Sequence, residues 1–407
     1  MAELLFLAHR IPYPPDKGDK IRSWHVLRHL ARTHDVHLGC FVDDPDDWRH
    51  EGILRELCGE CLFLPFHPRR ARIRGLAAFV DGGPLTLRCY RDRRLADWVE
   101  NLRRRRRIDR IYVFSSAMAQ YVLDDGAGRR VIDFVDVDSD KWRQYAANKS
   151  GPAAWVYARE ARRLLAYERR VARAFDASLF VSPAEAELFR ALAPESAGRV
   201  QSLANGVDID FFSPEHAFDD PFGGDRDAIV FTGAMDYWAN VDAVTWFADA
   251  VLPLVRERHP EARFRIVGSK PAAEVRRLAR RPGIEVTGRV PDVRPHVAHA
   301  TLAVAPMRIA RGVQNKVLEA MAMGRAVVTT PQGLEGIAAE AGREIVVAEE
   351  AAAFADAVCD LLAGADAAAE IGRRARARVV GSYSWGATLT PLDGLLDGAS
   401  DRRRAVA

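Results

Sequence analysis

The sequence has few cysteines and no long apolar run. Five cysteines in 407 residues are an odd number without the spacing of a disulfide framework. Cys58 and Cys61 form a lone CxxC; we interpret them as ordinary thiols, with a metal or redox role as the alternative. The first residues lack the basic and apolar segments of a signal peptide, and no run reaches membrane-spanning length. We therefore expect a cytoplasmic protein.

The chain also lacks an excess of charge of either sign. Lys and Arg number 59 and Asp and Glu 56, a net charge of +3, which argues against nucleic acid as a partner. One basic run, residues 103–107, is either the solvated end of a helix or a peripheral contact with anionic lipid on the inner face of the membrane. Glu160 and Glu168 lie among arginines, which indicates a salt-bridged helix surface.

Short apolar runs alternate with helix-period segments, the pattern of parallel sheets wrapped by helices. The length favours two domains. We expect doubly wound α/β domains over residues 1–205 and 227–383, joined by a linker over 206–226 that is rich in Pro, Gly and Asp. The predicted strands are 4–8, 36–41, 61–65, 110–114, 131–134, 178–181 and 200–203 in the first half, and 228–232, 263–267, 284–287, 302–305, 326–329 and 344–347 in the second.

Residues 311–324 predict a helix with one polar and one apolar side. Gly312, Lys316 and Glu319 follow a spacing of four then three, which places them in one row, while the opposite side would pack on a sheet. The amides at the helix start and the Lys316 ammonium favour phosphate oxygens, and Glu319 can accept hydrogen bonds from ribose hydroxyls. The alternative is an ordinary amphipathic helix with a surface Lys/Glu pair.

The loop after the first predicted strand, residues 9–20, is a second candidate ligand contact. Its prolines stiffen it, and Gly18 lets the backbone approach a ligand where the next helix starts. His9 and Arg10 are candidate acceptor contacts, with a structural role for His9 as the alternative. Neither this loop nor any other segment has the GxGxxG fingerprint, which disfavours a nicotinamide or flavin enzyme.

Several ordered motifs resemble the group 1, or family 4, glycosyltransferases. They are Asn205–Asp208 with Phe212 and Pro214, Ile229–Gly233 with Asn240, Phe264–Gly268, Val317–Gly324 with Val327–Thr330, and Tyr383–Trp385. The segments 12–19 and 312–316 look most like the sugar transferases associated with exosortase (PEP-CTERM) and exopolysaccharide gene clusters.

The resemblance implies the GT-B fold, in which two Rossmann-like domains face each other and a terminal helix, here about residues 384–400, returns to the first domain. It also implies a retaining, metal-independent hexosyltransferase of exopolysaccharide synthesis that needs no cofactor. Its donor, a nucleoside-diphosphate sugar, would bind the second domain, and a glycan or lipid-linked acceptor the first.

The sequence departs from this family at two places. Arg311 stands where the first of two glutamates usually lies, so Glu319 alone is the expected ribose ligand. The Arg and Lys that often follow the strand ending at Gly233 are also missing. Because a diphosphate would otherwise be buried without a counter-charge, we infer that Arg308, Arg311 and Lys316 supply it.

Asp136 and Asp138 follow a predicted strand and are the candidate catalytic residues of the first domain. Asp-x-Asp holds a metal in GT-A enzymes, but the two-domain organisation favours GT-B and no metal. We expect one of them to position the acceptor or to stabilise positive charge on the sugar, with helix capping as the alternative. A nucleotide-sugar epimerase of the same fold and a non-catalytic nucleotide-sugar-binding partner also stay open.

Overall fold

The chain forms two parallel sheets, and each sheet belongs to its own structural unit. The computed structural model describes residues 2–15, 17–124, 126, 128–147, 149–224, 227–310 and 313–398. The first unit comprises residues 1–205 and 388–407, and the second comprises residues 206–387. Helices cover the strands in both units, so the expected α/β class with two doubly wound sheets is confirmed.

The first sheet has seven parallel strands in the order β3-β2-β1-β4-β5-β6-β7. All seven predicted strands are present, with ends shifted by at most two residues. They are β1 (Ala2–Ala8), β2 (His34–Val42), β3 (Cys61–Pro65), β4 (Ile108–Phe114), β5 (Arg129–Val135), β6 (Ala177–Phe180) and β7 (Val200–Ser202). The central strand β1 is buried from Leu4 to Ala8, as expected for a strand covered on both faces.

Within the described residues, nine α-helices lie between β1 and β7 in the chain. They are α1 (Gly18–Leu30), α2 (Glu51–Leu57), α3 (Pro68–Leu76), α4 (Ala78–Asp81), α5 (Leu85–Cys89), α6 (Arg93–Arg105), α7 (Asp138–Ala147), α8 (Gly151–Ala174) and α9 (Pro183–Leu192). A buried ion pair fixes α1 on the sheet, because Arg22 Nε donates to Asp133 Oδ2 at 2.7 Å, and the same carboxylate accepts from Tyr112.

The long helix α8 corrects the interpretation of Glu160 and Glu168 as surface residues. Both side chains are buried. Glu160 accepts hydrogen bonds from the amides of Leu85 and Thr86 at 2.7 and 2.9 Å, and Glu168 accepts one from Ser139 Oγ at 2.5 Å. Burial raises the pKa of Glu168 to about 8. These carboxylates therefore cap the starts of α5 and α7, a long-range role that helical spacing cannot reveal.

The second sheet has six parallel strands in the order β10-β9-β8-β11-β12-β13. All six predicted strands are present, and only the last is clearly shorter than expected. They are β8 (Ala228–Thr232), β9 (Arg263–Val267), β10 (Ile284–Gly288), β11 (Leu302–Ala305), β12 (Ala326–Thr329) and β13 (Val346–Val347). Their apolar side chains form one buried core with the surrounding helices.

The helices of the second unit are α10 (Trp238–Trp246), α11 (Leu252–Arg258), α12 (Ala273–Leu278), α13 (Arg294–His299), α14 (Asn315–Ala322), α15 (Pro331–Leu334), α16 (Ala351–Ala363) and α17 (Ala365–Ser382). The terminal helix α18 (Trp385–Asp397) follows. From Thr388 onward it belongs to the first unit, where Asp393 accepts a hydrogen bond from His29 at 2.8 Å. Across the described ranges, no helix is both long and apolar enough to cross a membrane.

Candidate functional site

A cavity of about 550 Å³ opens in the second unit, beyond the carboxyl ends of its strands. Its wall is formed by the last residues of β8 and β9, by residues that follow β8, β9 and β10, and by the start of α14 with the two residues before it. They are Thr232, Gly233, Tyr237, Asn240, Val267, Gly268, Ser269, Arg289, Val290, Val293, Val313, Gln314, Asn315, Lys316 and Glu319. Gly233, which follows β8, is thus brought together with Lys316 and Glu319, which lie more than 80 residues later in the chain.

The helix α14 is shorter than the sequence suggests. It begins at Asn315 and not at Gly312, so the expected single helical row from residue 312 is wrong; Arg311 and Gly312 lie outside the described residues. Lys316 and Glu319 lie one turn apart on the cavity side, while the apolar side is buried. The helix ends before Gly324, whose φ of +68° favours glycine. The predicted polar row is therefore present only in part: within the helix it consists of Lys316 and Glu319.

Lys316 is held at the cavity wall by neutral groups. Its Nζ donates to Asn240 Oδ1 at 2.5 Å and lies 4.7 Å from the centroid of the Phe231 ring. Burial lowers the pKa of Lys316 to about 8, although the charge of Glu319 acts in the opposite direction. The ammonium is thus still largely protonated at neutral pH, and its position suits an anionic ligand.

Glu319 lies beside Lys316 in the same wall. Burial raises the pKa of Glu319 to about 7, although the Lys316 charge lowers it. Within the described ranges, no donor forms a hydrogen bond with this carboxylate. A partly buried carboxylate without a protein donor is suited to accept hydrogen bonds from the hydroxyl groups of a ligand.

Two glycines shape the edge of the cavity. A Cβ atom on Gly268 would lie 1.6 Å from the carbonyl oxygen of Gly233, and one on Gly233 would lie 2.8 Å from Asn240 Nδ2. Asn240 itself donates to the carbonyl of Ala234 at 2.9 Å. From the sequence alone, Gly268 and Asn240 belong to motifs but are not assigned to a site. The signal for Gly268 is that a glycine follows each of two neighbouring strands, β8 and β9.

The cations around the cavity differ from those expected. Arg289, which sequence reasoning missed, lies in the wall directly after β10, is exposed, and forms no ion pair with any residue that the structure describes. Arg308 is not part of the wall, and its Nε donates to Asp242 Oδ2 at 3.1 Å. The geometry therefore favours Arg289 over Arg308 as a partner of the ligand, while the roles of Arg308 and Arg311 stay predictions.

In the first unit, His9 and Arg10 gather around Asp19. His9 Nε2 lies 3.3 Å from Asp19 Oδ2, Arg10 Nη1 donates to the same atom at 2.5 Å, and Arg10 Nε contacts Asp43 at 3.0 Å. Burial would raise the pKa of Asp19, but the hydrogen bond from His9 and the Arg10 charge outweigh it and lower the pKa to about 2. Gly18 is the exposed first residue of α1, and a Cβ there would meet no described atom within 4 Å.

Asp136 and Asp138 lie just beyond β5 and share one lysine. Lys141 Nζ donates to Asp136 at 2.7 Å and to Asp138 at 3.3 Å. Burial raises the pKa of Asp138, while the charges of Lys141 and His9 act in the opposite direction. Val135 has a φ of +69°, a costly conformation for a β-branched residue. Such strain is typical of functional sites, so it supports a role for Asp136.

Within the described part of the chain, Glu3, Asp35 and His37 have the spacing of a metal site. Both ring nitrogens of His37 already form hydrogen bonds within the protein. Its Nδ1 accepts from the amide of Glu60 at 3.0 Å, so Nε2 carries the proton and donates to Glu3 at 2.5 Å. No lone pair remains for a metal, and this group is a hydrogen-bonded cluster.

Comparison with known proteins gives a family match for part of the chain and similar folds for the whole. Residues 226–364 match the family described as "Glycosyl transferases group 1". No curated protein matches the chain. The chain is similar to Anabaena Alr3699/HepE, solved in complex with UDP, at 14% identity over 97% of this chain and 100% of that one, with a TM-score of 0.62.

Two solved glycosyltransferases also have this fold. One is from Rickettsia africae, at 13% identity over 97% of this chain and 98% of that one, with a TM-score of 0.64. The other is WaaG, a glycosyltransferase involved in lipopolysaccharide biosynthesis, at 17% identity over 98% of both chains, with a TM-score of 0.60. The chain therefore has the fold of the GT-B glycosyltransferases, and its second unit carries the match to the group 1 family.

Proposed function

We propose that the protein is a glycosyltransferase and binds a nucleoside-diphosphate sugar in the cavity of the second unit. The observation that carries the proposal is the pair Lys316 and Glu319 at the start of α14, which places a cation in one cavity wall with a carboxylate that accepts no hydrogen bond from the described residues. The family match over residues 226–364 supports the same function. HepE, which shares the fold, was solved with UDP and with UDP-glucose.

Each group of the wall suits one part of such a donor. The Lys316 ammonium, the first amides of α14 and the Arg289 guanidinium can bind the diphosphate. Glu319 can accept hydrogen bonds from ribose hydroxyls. During transfer, negative charge grows on the leaving diphosphate, and a fixed cation stabilises that charge without reorganisation. We expect Lys316 therefore to contribute to both donor binding and turnover.

The first unit would bind the acceptor. His9 and Arg10 lie with Asp19 in one cluster, and Asp136 and Asp138 lie with Lys141 in another. We propose that Asp136 positions the acceptor or stabilises the positive charge that develops on the sugar, with Asp138 as the second candidate. Retention of configuration, independence of metal and the absence of a cofactor are part of the proposal and follow from the family resemblance alone.

We further propose that the sugar is a hexose and the product a bacterial surface glycan, an exopolysaccharide in particular. The motifs of residues 12–19 and 312–316 support this, and WaaG, which has the same fold, acts in lipopolysaccharide biosynthesis. The described cysteines are all free, which fits the cytoplasmic location that we propose.

Donor binding and turnover test the proposal in two stages. We expect UDP, GDP or ADP, or one of their sugars, to raise the unfolding temperature, because a ligand of the folded state stabilises it. The stabilising donor is then incubated with and without a glycan or lipid-linked acceptor. Transfer only with acceptor is the expected result; an altered sugar without acceptor would indicate an epimerase, and binding without turnover a non-catalytic partner.

Variants of the two aspartates test the catalytic assignment. We expect Asp136→Asn to lower kcat by about 100-fold or more, the usual contribution of a charged catalytic group, with little change in nucleotide affinity. Glu187→Gln, on the exposed surface of α9, is the matched control in the same unit. If Asp138→Asn abolished turnover while Asp136→Asn kept the wild-type kcat, the catalytic role would belong to Asp138 and not to Asp136.

A further inference from the structure

The helical segment α3–α4 turns its large apolar side chains toward solvent. Ala77 joins the two helices in a right-handed helical conformation, so the spacing continues from Pro68 to Asp81. The buried side of this segment consists of the small residues Ala71, Gly75 and Ala78, at a spacing of four then three. An ordinary amphipathic helix buries its large apolar side chains, whereas this segment buries its small ones and exposes the large ones.

The outward side carries Ile73, Leu76 and Val80, which are 69, 60 and 91% exposed. Their spacing of three then four places them in one stripe. On the neighbouring turn of α8, Trp155 is 58% exposed, and its ring stacks on Phe79 at 6.0 Å. Such a group of large exposed apolar residues marks an interaction surface.

Positive charge surrounds this stripe. Arginine occupies positions 69, 70, 72 and 74, and no Asp or Glu occurs between residues 66 and 80. Arg69 and Arg70, next to the stripe, form no ion pair with any residue in the described ranges, and neither do Arg162 and Arg163 on α8. An outward apolar stripe between unpaired arginines is typical of a helix that lies in the interface of an anionic bilayer.

The basic run of residues 103–107, the lipid contact considered from the sequence, has a different environment. Arg104 pairs with Glu100, Arg105 with Glu60 at 2.9 Å, Arg106 with Glu3 at 3.2 Å and Arg107 with Asp109 at 3.1 Å. These acids compensate the charge, and no exposed large apolar residue lies in the run. The structure supports the interpretation of this run as a solvated helix end.

We propose that the outward side of α3–α4, with Arg69, Arg70, Ile73, Leu76 and Val80, together with Trp155, binds the surface of an anionic lipid bilayer. The apolar stripe would enter the headgroup region while the arginines contact lipid phosphates. This surface is separate from the donor cavity and goes beyond the proposed function. It would hold the first unit, to which we assign the acceptor, at a membrane.

Flotation of the full chain with lipid vesicles tests the proposal. We expect the protein to float with vesicles of phosphatidylcholine and phosphatidylglycerol, to remain in solution with phosphatidylcholine alone, and to be released by high salt. The double variants Ile73→Asp/Val80→Asp and Arg69→Glu/Arg70→Glu should each weaken binding at least tenfold. All four side chains are exposed, so these variants should keep the wild-type unfolding temperature and nucleotide affinity.

Two variants are matched controls. Ile53→Asp changes an exposed apolar residue of α2, and Arg104→Glu/Arg107→Glu reverses two charges of the compensated run; both should float as the wild type does. Equal binding to neutral vesicles, or equal loss in the controls, would overturn the proposal. So would a dimer that Ile73→Asp/Val80→Asp converts to a monomer without vesicle binding, because a second copy would then cover this side.

Discussion

The ammonium of Lys316 lies 2.5 Å from Asn240 Oδ1, and the Nδ2 group of the same amide donates to the carbonyl of Ala234 at 2.9 Å. One side-chain amide thus joins the start of α14 to the turn after β8. Because an amide oxygen carries no formal charge, it orients the ammonium without neutralising it. Lys316 is therefore a fixed cation that an anionic donor can use.

Removal of this cation should weaken donor binding. We expect Lys316→Ala to raise the Kd of the stabilising nucleoside diphosphate about 10- to 100-fold, the usual effect of a hydrogen bond to a charged group. Isothermal titration calorimetry measures the change. Arg281→Ala, in the same unit but paired with Asp249 outside the cavity wall, is the control and should bind as the wild type does. Equal affinities of Lys316→Ala and wild type would remove Lys316 from the site.

The pH dependence of binding should follow the same ammonium. Burial lowers the pKa of Lys316 to about 8, so the free protein loses this charge as the pH rises through 8. A terminal phosphate has its second pKa near 6, so the ligand charge stays constant in this range (about pH 7.5 to 9.5). We expect the Kd to rise up to about tenfold per pH unit above 8. The Lys316→Ala variant should show a flat profile there; a parallel rise in both proteins would assign the effect to another group.

Arg289 and Arg308 should differ in their effect on the donor. Arg289 lies in the cavity wall without an ion pair to the described residues, whereas Arg308 is engaged by Asp242 outside the wall. We expect Arg289→Ala to raise the nucleotide Kd about tenfold and Arg308→Ala to change it less than twofold, as for a partly exposed charge pair. The two variants serve as each other's control. The reverse order of effects would restore Arg308 as the diphosphate ligand.

Gly268 should tolerate no side chain. The Cβ of Gly268→Ala would lie 1.6 Å from the Gly233 carbonyl oxygen, so the edge of the cavity must move. We expect a loss of about 2–4 kcal/mol in the free energy of unfolding, or loss of nucleotide binding where the fold survives. Gly381→Ala is the control, because this residue lies in α17 and its added Cβ would meet no described atom within 4 Å. Its stability should be equal or slightly higher.

The spacing of apolar residues and the residue types typical of turns predict most of this fold. Strands buried on both faces appear as short continuous apolar runs, which is why all thirteen predicted strands are present. The polar row of Lys316 and Glu319 was visible for a similar reason, since helical spacing is local. The exact start of α14 was not, because residues 313 and 314 continue the same pattern without being helical.

Long-range partners explain the misses. Glu160 and Glu168 lie among arginines in the sequence, yet they accept hydrogen bonds from α5 and α7, whose positions depend on the tertiary fold. Arg289 follows a strand that carries no recognised motif, and only the cavity shows that it faces the same space as Lys316. For Arg308 the long-range partner removes an expected ligand contact. Asp242, which pairs with Arg308, is 66 residues away in the chain, so the sequence could not show that this cation is already engaged.

Glu319 should make the stability of the second unit depend on pH. Burial raises its pKa from 4.5 to about 7, so between these values the folded protein holds a proton that the unfolded chain has lost. The free energy of unfolding therefore falls as the pH rises through this window. Glutamine does not titrate, so Glu319→Gln should gain about 1–3 kcal/mol relative to wild type between pH 5 and 7.5, an amount reduced by partial exposure.

Urea unfolding of wild type and variant at both pH values measures this difference. The comparison isolates Glu319 because the lowered pKa of Lys316, about 8, lies above the window. Glu261→Gln, an exposed change in the same unit, should show a difference that does not vary with pH. If Glu319→Gln behaves like Glu261→Gln, the Glu319 carboxylate is ionised throughout the window and can accept ribose hydroxyls without first losing a proton. A pH-dependent gain would instead mean that donor binding below pH 7 is coupled to release of that proton.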